Sequence, residues 1–494
     1  CTGAALVFST AAHATNGMNL EGYGPVALGM GGAGFAYDAG TSATMMNPAT
    51  MGLAEDGTNR LDLALGFLGP DITVSVPDYG MSADSSADAF WMPAMGWMRR
   101  DGSWTYGVAV FAQGGMGTEY GEDSFLANPA VDPITGMPIP TGDGVRSEVG
   151  VGRFMVPLTY TVNDNLNVGG SLDFVWAGMD IMMAMSGEQF GDFIAGMGGT
   201  QTYGTASGGM VDAMLGMMAA GMLTNVDWAR IDFSNSSDFT GEARGYGLAG
   251  KIGFTYKVND RLTIGGTYHS KTAISDLNTE NATISMQVDM VVDTDGDGVP
   301  DTPMDDMAIP VKGELDVVDF QWPATYGIGL SFQATDALMV AMDVKKIDWS
   351  GVMSDFNMTF NADADQGNCD DPIAPNPACG FGGLDMDLTM YQDWDDQTVI
   401  SLGAAYAVND ALTLRVGYNQ ASNPVPDLYL NPLFPAIVEK HYTFGVGYQF
   451  SDANQVNFAL SKAQNYDATI EGEEVDTDIS HEQLSWQVMY SHNF

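Results

Sequence analysis

Segments in which apolar and polar residues alternate recur along this chain of 494 residues. In the segment 166–176, one face carries Leu166, Val168, Leu172, Phe174 and Trp176, and the other carries Asn167, Ser171 and Asp173. Successive side chains of a strand point to opposite faces, so this pattern predicts a strand with an apolar environment on one side and a polar one on the other. Eight further segments alternate in the same way, at 246–256, 262–268, 326–332, 338–344, 400–406, 412–418, 442–450 and 456–460.

The connections between these segments are alternately short and long. The short ones are dipeptides typical of hairpin turns, at 163–164, 259–260, 335–336, 409–410 and 451–452. The long ones span 182–242, 275–317, 350–396, 422–440 and 465–483. This alternation is typical of outer-membrane barrels. With further candidate strands near 60–76, 90–98, 104–115, 149–162 and 484–494, the sequence predicts an all-β fold, a 14-stranded antiparallel transmembrane β-barrel.

Composition removes several other classes. The chain has 63 acidic and 17 basic residues, which disfavours nucleic-acid binding because phosphate neutralisation needs Lys and Arg. Its 45% hydrophobic content disfavours disorder. No uncharged apolar run reaches the roughly 18 residues of a membrane helix. A soluble β-sandwich is the alternative, but aromatic residues near the predicted strand ends favour a barrel with interfacial girdles, namely Trp176, Tyr256, Trp322 and Tyr406. The last strand ends on Phe494, as is typical of chains inserted by the outer-membrane assembly machinery.

The N-terminus indicates export. Residues 1–14 are apolar, lack charge and end in Ala-His-Ala, which predicts the remnant of a signal peptide cleaved before Thr15. A lipid-modified Cys1 is the alternative. Removal of this segment leaves Cys369 and Cys379, for which we expect a disulfide in an oxidising compartment. Two unpaired thiols are the alternative.

Three N-terminal motifs resemble those of the FadL/TodX (OmpP1) family of outer-membrane transporters of hydrophobic compounds. They are Asn16-Gly-Met-Asn-Leu-Glu-Gly-Tyr-Gly24, Gly29-Met-Gly-Gly-Ala-Gly34 and Met45-Met-Asn-Pro-Ala-Thr50. Later matches are Phe320-Gln-Trp-Pro-Ala324, Lys346-Ile-Asp-Trp-Ser350 and Asn423-Pro-Val-Pro-Asp427. The resemblance covers essentially the whole chain after residue 14.

This resemblance implies a 14-stranded barrel at 58–494 with a small hatch at 15–57 inside its lumen. It also implies a hydrophobic groove formed by the outer loops and sideways release of the substrate through the wall. In the hatch, Asn47, Pro48 and Ala49 form a predicted rigid turn, because proline fixes one backbone dihedral and the Asn side chain can bond the nearby backbone. An ordinary loop turn is the alternative.

Several basic residues are predicted to face the lumen. If the apolar faces contact lipid, the lumen receives Arg153, Lys251, Lys257, Lys271, Lys345 and Arg415. A buried carboxylate needs a cation or several donors, so we expect Arg153 and Lys251, with Lys345 and Arg415, to bind the head group of a fatty acid. The alternative is that they brace the wall by pairing with Asp173 and Asp343.

A methionine stripe lies in the segment 182–242. Methionine is flexible and polarizable, so the stripe is a candidate for the hydrophobic groove, formed by Met210, Met214, Met217, Met218 and Met222. Packing of a helix on the mouth of the barrel is the alternative.

A candidate calcium loop lies at 293–301. Asp293, Asp295, Asp297 and Asp301 occupy positions 1, 3, 5 and 9 of a calcium-binding pattern. Position 12 is Met304 where an EF-hand has Glu, so we expect a structural Ca²⁺ of the kind bound by Asp-rich extracellular repeats. An unliganded acidic turn is the alternative.

The function predicted is transport of long-chain fatty acids or related hydrophobic compounds across the bacterial outer membrane. The segments 275–317, 350–396 and 465–483 hold 28 of the 63 acidic residues, so the outside is expected to be acidic and to repel anions. A general porin for small polar solutes is the alternative. An enzyme is not expected, since His269 has no evident Ser/Asp partner. We expect no cofactor for transport, a monomeric barrel, and a hydrophobic ligand and membrane lipid as partners.

Overall fold

The computed structural model describes residues 16–132, 137–235, 237, 241–292, 300–370, 376–470 and 476–494. The predicted signal peptide lies outside this part of the chain. The strands are β1 (Asn59–Val76), β2 (Met81–Asp84), β3 (Phe90–Asp101), β4 (Trp104–Tyr120), β5 (Val145–Asn163), β6 (Leu166–Ser186), β7 (Gly204–Ser207), β8 (Leu223–Phe233), β9 (Ala243–Asn259), β10 (Leu262–His269), β11 (Ala273–Ile274), β12 (Leu277–Val292), β13 (Thr302–Val318), β14 (Thr325–Gln333), β15 (Leu338–Ile347), β16 (Asp355–Ala362), β17 (Asp385–Tyr391), β18 (Gln397–Ala407), β19 (Leu412–Ala421), β20 (Lys440–Ser451), β21 (Asn454–Ile470) and β22 (Thr477–Asn493). The α-helices are α1 (Gly24–Leu28), α2 (Ala43–Met46), α3 (Gly187–Asp192) and α4 (Gly209–Ala219).

The strands form an antiparallel wall that closes where β22 pairs with β1. The prediction of 14 strands is wrong for this wall, because its closed circuit passes through 16. Strand β6 pairs directly with β9 as far as Met179. Beyond Met179, β6 pairs with β8, and β8 pairs with β12. Strand β12 in turn pairs with β9 at Asn278 and Arg244. Periodicity missed β8 and β12 because both lie in segments assigned to long loops.

The two faces of the wall differ as the alternation predicts. Strand β6 exposes Leu172 and Phe174 on its outward face and buries Ser171 and Asp173 on the other. Outward aromatic rings meet across neighbouring strands, for example Tyr268 and Tyr326. The prediction that Trp322 belongs to this outward aromatic set is wrong, because its side chain is almost fully buried.

Residues 16–54, called here the N-terminal segment, are almost entirely buried. Their backbone is bonded by wall side chains from distant strands, including Asp62 of β1, Thr159 of β5 and Asp343 of β15. Contacts all round the circuit place the segment within the ring. A separate hatch is not shown: the apolar side chains of the segment share one hydrophobic cluster with Leu68, Phe111 and other wall residues.

The long connections lie on one side of the wall, called here the outer side. There β8, β12, β13, β16, β17 and β7 form a sheet that packs around a second large hydrophobic cluster. On this side the predicted disulfide is confirmed, since Cys369 is bonded to Cys379. Among the described residues, no helix is long and apolar enough to cross a membrane.

Candidate functional site

The wall contains a gap between β3 and β4. These strands pair only from Asp101 and Trp104 to Met95 and Val110. Beyond that point β3 continues to Phe90, and its ladder there is with β1. Strand β4 continues to Tyr120 and pairs with β5. Beyond Met95 and Val110, two backbone edges therefore face each other without a ladder between β3 and β4 in the described structure.

Both ends of this gap are defined by hydrogen bonds. At the inner end the last ladder pair is Met95 and Val110. At the outer end Ser86 donates its backbone N–H to the Glu119 carbonyl at 2.8 Å. A cavity of about 400 Å³ lies at this end, lined by residues 86–91, Thr118, Glu119 and residues 146–148. The interruption of the ladder is therefore bounded by hydrogen bonds at both ends.

A bulge in β4 shapes the gap. The register between β4 and β5 shifts between Ala112 and Gly114, which leaves Gln113 as the extra residue and bends the strand. Gly114 is needed here, because a Cβ at this position would lie 2.0 Å from the Met18 carbonyl oxygen. The glycine thus lets the N-terminal segment lie directly on the bulge.

The N-terminal segment is tied to this bulge by side chains. Tyr23 donates its hydroxyl to the Gln113 carbonyl at 2.6 Å, and Gln113 donates its side-chain N–H to Asn19 at 2.7 Å. Leu20 and Tyr23 line a small cavity together with Met92 and Phe111, which flank the gap. The segment therefore closes the gap from inside. The sequence did not locate this gap, because its position depends on which strands pair and not on the pattern within a strand.

The four predicted head-group residues lie on the lumen side but are not equivalent. Arg153 of β5 and Lys251 of β9 both pair with Asp173 of β6, Arg153 at 2.9 Å. All three side chains are buried. This is the bracing alternative, in which one carboxylate accepts from two cations across three adjacent strands. A head-group role for Arg153 and Lys251 stays a prediction.

Lys345 and Arg415 lie beside the N-terminal segment. Arg415 donates to Asn457 at 3.1 Å. Lys345 has Asp343 and Glu21 as its charged neighbours. Asp343 itself accepts the backbone N–H groups of Gly34 and Phe35. Lys257 and Lys271 are exposed and do not lie with Lys345 and Arg415.

The predicted groove methionines belong to α4 and the residues after it. Met210 and Met214 are buried in the outer hydrophobic cluster, whereas Met217 and Met218 are partly buried against it. Met222 follows the helix and is half-buried. The first two therefore pack as core residues. A role in a groove stays a prediction for the other three.

The Asn47-Pro48-Ala49 turn is built as its residue types predict. The Asn47 side-chain oxygen accepts the Ala49 N–H, and its amide donates to the carbonyls of Phe35 and Phe254. Thr159 of the wall donates to the Pro48 carbonyl. The turn thus fixes the end of the N-terminal segment against β5 and β9.

Of the predicted calcium ligands, Asp293, Asp295 and Asp297 lie outside the described residues, and Asp301 is exposed. The structure instead brings together Asp227 of β8, Asp289 of β12 and Asp306, whose carboxylate oxygens lie within 4.8 Å of one another. Burial and these two neighbours raise the pKa of Asp227 to about 6. Pairing of β8, β12 and β13 in the outer sheet brings these residues together, so the cluster could not be predicted from local sequence pattern.

A family model described as outer membrane protein transport protein (OMPP1/FadL/TodX) matches residues 4–492. The chain belongs to the FadL/TodX family. It is therefore an outer-membrane transport protein, as its sequence motifs predicted. The FadL/TodX fold is also seen by superposition. The Pseudomonas putida toluene transporter TodX is 29% identical, with a TM-score of 0.76, and the match covers 96% of this chain and 99% of TodX.

A second FadL/TodX structure is similar over the same length. The Ralstonia pickettii toluene transporter TbuX is 28% identical with a TM-score of 0.71, and 96% of this chain and 99% of TbuX are covered. An uncharacterized Chlorobium limicola protein, from the 5′ region of the phosphoenolpyruvate carboxykinase gene, is 49% identical over 82 residues. That match covers 17% of this chain and 39% of the relative.

Proposed function

We propose that this protein carries neutral hydrophobic compounds, with hydrocarbons as the main class, across the outer membrane and releases them sideways through the gap between β3 and β4. The gap itself is the observation that carries the proposal. The side of the gap that faces the lumen is apolar, with Met92, Ala94, Phe111 and Ala112 around the small cavity at the N-terminal segment. Its outward surroundings are apolar as well, since Trp91 packs with Phe67 and Trp486 on the lipid side.

Charge favours a neutral substrate over a fatty-acid anion. The outer segments are strongly acidic, so a carboxylate is repelled on approach. In the lumen, the two leading cations already share Asp173. A carboxylate would have to displace that buried ion pair, whereas a hydrocarbon needs only apolar surface. The two toluene transporters TodX and TbuX, with 28–29% identity, support the same class.

A disulfide across the gap tests this route. The next ladder pair beyond Met95 and Val110 would join Ala94 to Phe111, so the double variant A94C/F111C is expected to close the opening on oxidation. The matched control is M95C/V110C, which links two residues that are already paired. Uptake of labelled toluene and oleate is measured in a bacterial strain lacking its own FadL/TodX proteins, before and after reduction.

We expect the oxidised gap variant to lose most toluene uptake and to regain it on reduction, while the control is unaffected. Uptake that persists through a closed gap contradicts the lateral route. Oleate uptake well above that of toluene at equal concentration contradicts the neutral class. A large steady ion current from the purified protein in planar bilayers would favour the general porin instead.

A further inference from the structure

Four consecutive wall strands place polar side chains in one row on the lumen side. The ladders align Asn419 of β19 with His441 of β20, His441 with Ala463 of β21, and Ala463 with Gln483 of β22. His481 lies two residues before Gln483 on the same face, and Ser461 lies two before Ala463. Asn419, His441, Ser461, His481 and Gln483 are called here the polar chamber, and each is nearly fully buried.

The chamber holds polar atoms for which the described residues provide no partner. They are the Asn419 Oδ1, both ring nitrogens of His441, the Ser461 Oγ, the His481 Nε2 and the Gln483 Oε1. Buried polar groups in proteins are nearly always hydrogen-bonded. Six such atoms on neighbouring side chains therefore indicate a place that receives hydrogen bonds from a bound molecule.

The chemistry of that molecule follows from which atoms are unmatched. The His481 Nδ1 lies 2.9 Å from the Pro435 carbonyl oxygen, and a carbonyl can only accept, so Nδ1 carries the proton. In the neutral ring Nε2 is then an acceptor. The Gln483 amide donates to Ser485 and leaves its oxygen free, and the Asn419 amide likewise donates to Gly31 and Ser401. Three of the six atoms are thus acceptors only.

The surroundings disfavour an anion at this place. The chamber contains no Lys or Arg, and the Glu21 carboxylate interacts electrostatically with His441. Arg415 is engaged by Asn457. Ala463, which the ladders align with both His441 and Gln483, is the smallest side chain of the row. A group of unmatched acceptors beside a carboxylate suits a neutral O–H donor.

We propose that the polar chamber binds the hydroxyl group of a neutral hydrophobic compound, such as a phenol or an alcohol. This inference rests on the proposed transport of neutral hydrophobic compounds and adds that hydroxylated members are preferred over plain hydrocarbons. A site built to pair a hydroxyl group discriminates strongly against the analogue that lacks it, because the acceptors of the site then remain unpaired.

The test compares p-cresol with p-xylene, which differ by a hydroxyl in place of one methyl group. The full chain is placed in lipid nanodiscs, and binding is measured by calorimetry against empty nanodiscs to subtract partition into lipid. The variants are His481→Leu and Gln483→Leu. His269→Leu is the matched control, because its ring also lies on the lumen side but is already bonded to the Met46 carbonyl. Folding of each variant is checked by heat-modifiable migration on gels.

We expect the wild-type protein to bind p-cresol about tenfold more tightly than p-xylene. His481→Leu and Gln483→Leu each remove most of this difference and leave p-xylene binding within about twofold, and His269→Leu keeps the preference. Equal wild-type affinities overturn the inference, and so does a preference that survives in either folded chamber variant. If both compounds bind equally well, neutral hydrophobic transport still stands. If neither binds, the proposed function fails with it.

Discussion

The indole Nε1 of Trp322 donates a 2.9 Å hydrogen bond to the side-chain oxygen of Asn19. The same oxygen accepts the side-chain N–H of Gln113 in the β4 bulge. Trp322 also packs edge-to-face against Trp349, which packs in the same way on Trp394. Asn19 therefore joins a buried tryptophan cluster to the strand that borders the gap.

Replacement of Asn19 by Leu, which has a similar volume, is expected to destabilise this junction. The Trp322 indole loses its acceptor, and the Gln113 amide keeps only the Tyr23 hydroxyl as acceptor. Each buried N–H left unpaired costs about 1–3 kcal/mol. We expect the free energy of unfolding in detergent to fall by about 2–4 kcal/mol, as measured by denaturant titration of tryptophan fluorescence. Asn361→Leu, at an exposed position of β16, is the control. Equal stability of the two variants would show that the junction contributes nothing.

The ion pairs of Asp173 predict an asymmetric response to mutation. Asp173→Asn leaves Arg153 and Lys251 buried without a counter-charge, which should cost about 3–5 kcal/mol. Lys251→Met leaves one cation and one carboxylate, so its cost should be much smaller. Thermal unfolding of the two purified variants, with the wild-type protein alongside, measures the difference. A larger loss for Lys251→Met than for Asp173→Asn would mean that charge balance does not govern this group.

The same change also tests the head-group prediction. If Lys251 binds a carboxylate, Lys251→Met should lower the affinity for oleate and leave the affinity for an alkane unchanged. Our expectation from the paired geometry is that both affinities change equally. Binding to the delipidated protein, measured for the two ligands in parallel, separates these outcomes. A loss of affinity for oleate alone would support binding of the fatty-acid head group by Lys251.

Apart from β8 and β12, the strands of the wall could be predicted because each carries its own signal. On β6, the exposure of Leu172 and the burial of Asp173 follow from alternation alone. The disulfide was also predictable, since only two cysteines remain after the first 14 residues. What the sequence could not show depends on long-range pairing. The turn of β6 from β9 to β8 and the meeting of Asp173 with Lys251 join segments far apart in the chain. The gap beyond Met95 is an interruption of pairing inside a hairpin, which the alternation within each strand does not reveal.

The outer acidic cluster predicts a pH effect. The pKa of Asp227 is raised to about 6 in the folded chain by burial and by Asp289 and Asp306, above its ordinary value near 4. The folded state thus binds the proton more tightly than the unfolded state, so stability decreases as the pH rises from about 4 to about 6. Asp227→Asn removes this penalty. The variant should melt at a higher temperature than wild type at pH 7.5 and at the same temperature at pH 4.

The melting experiment is done in EDTA, so that divalent cations do not neutralise the carboxylates. Asp212→Asn, at an exposed position of α4, serves as the control and should behave like wild type at both pH values. A gain for Asp227→Asn that is equal at pH 4 and pH 7.5 would rule out titration of this carboxyl as the cause.

Two wall carboxylates predict how the N-terminal segment is kept in the ring. Asp62 of β1 accepts the N–H and hydroxyl of Thr41 at 2.9 and 2.8 Å. Asp343 of β15 accepts the N–H groups of Gly34 and Phe35 at 2.6 and 3.0 Å. Hydrogen bonds to a charged group contribute about 1.5–3 kcal/mol each. The double variant D62A/D343A should therefore loosen the segment while the wall, whose ladders do not involve these side chains, stays closed.

Ion conductance in planar bilayers measures this effect. Wild-type protein should give almost no steady current, because residues 16–54 are packed within the ring, and D62A/D343A should give a current several times larger. The control is D71A/D316A, which removes one exposed carboxylate and one half-buried outer-side carboxylate and keeps the net charge equal to that of the test variant. Since both double variants lose two negative charges, a rise seen in both would reflect charge alone. A rise in current seen only with D62A/D343A would mean that the bonds from Asp62 and Asp343 to the N-terminal segment keep the lumen closed.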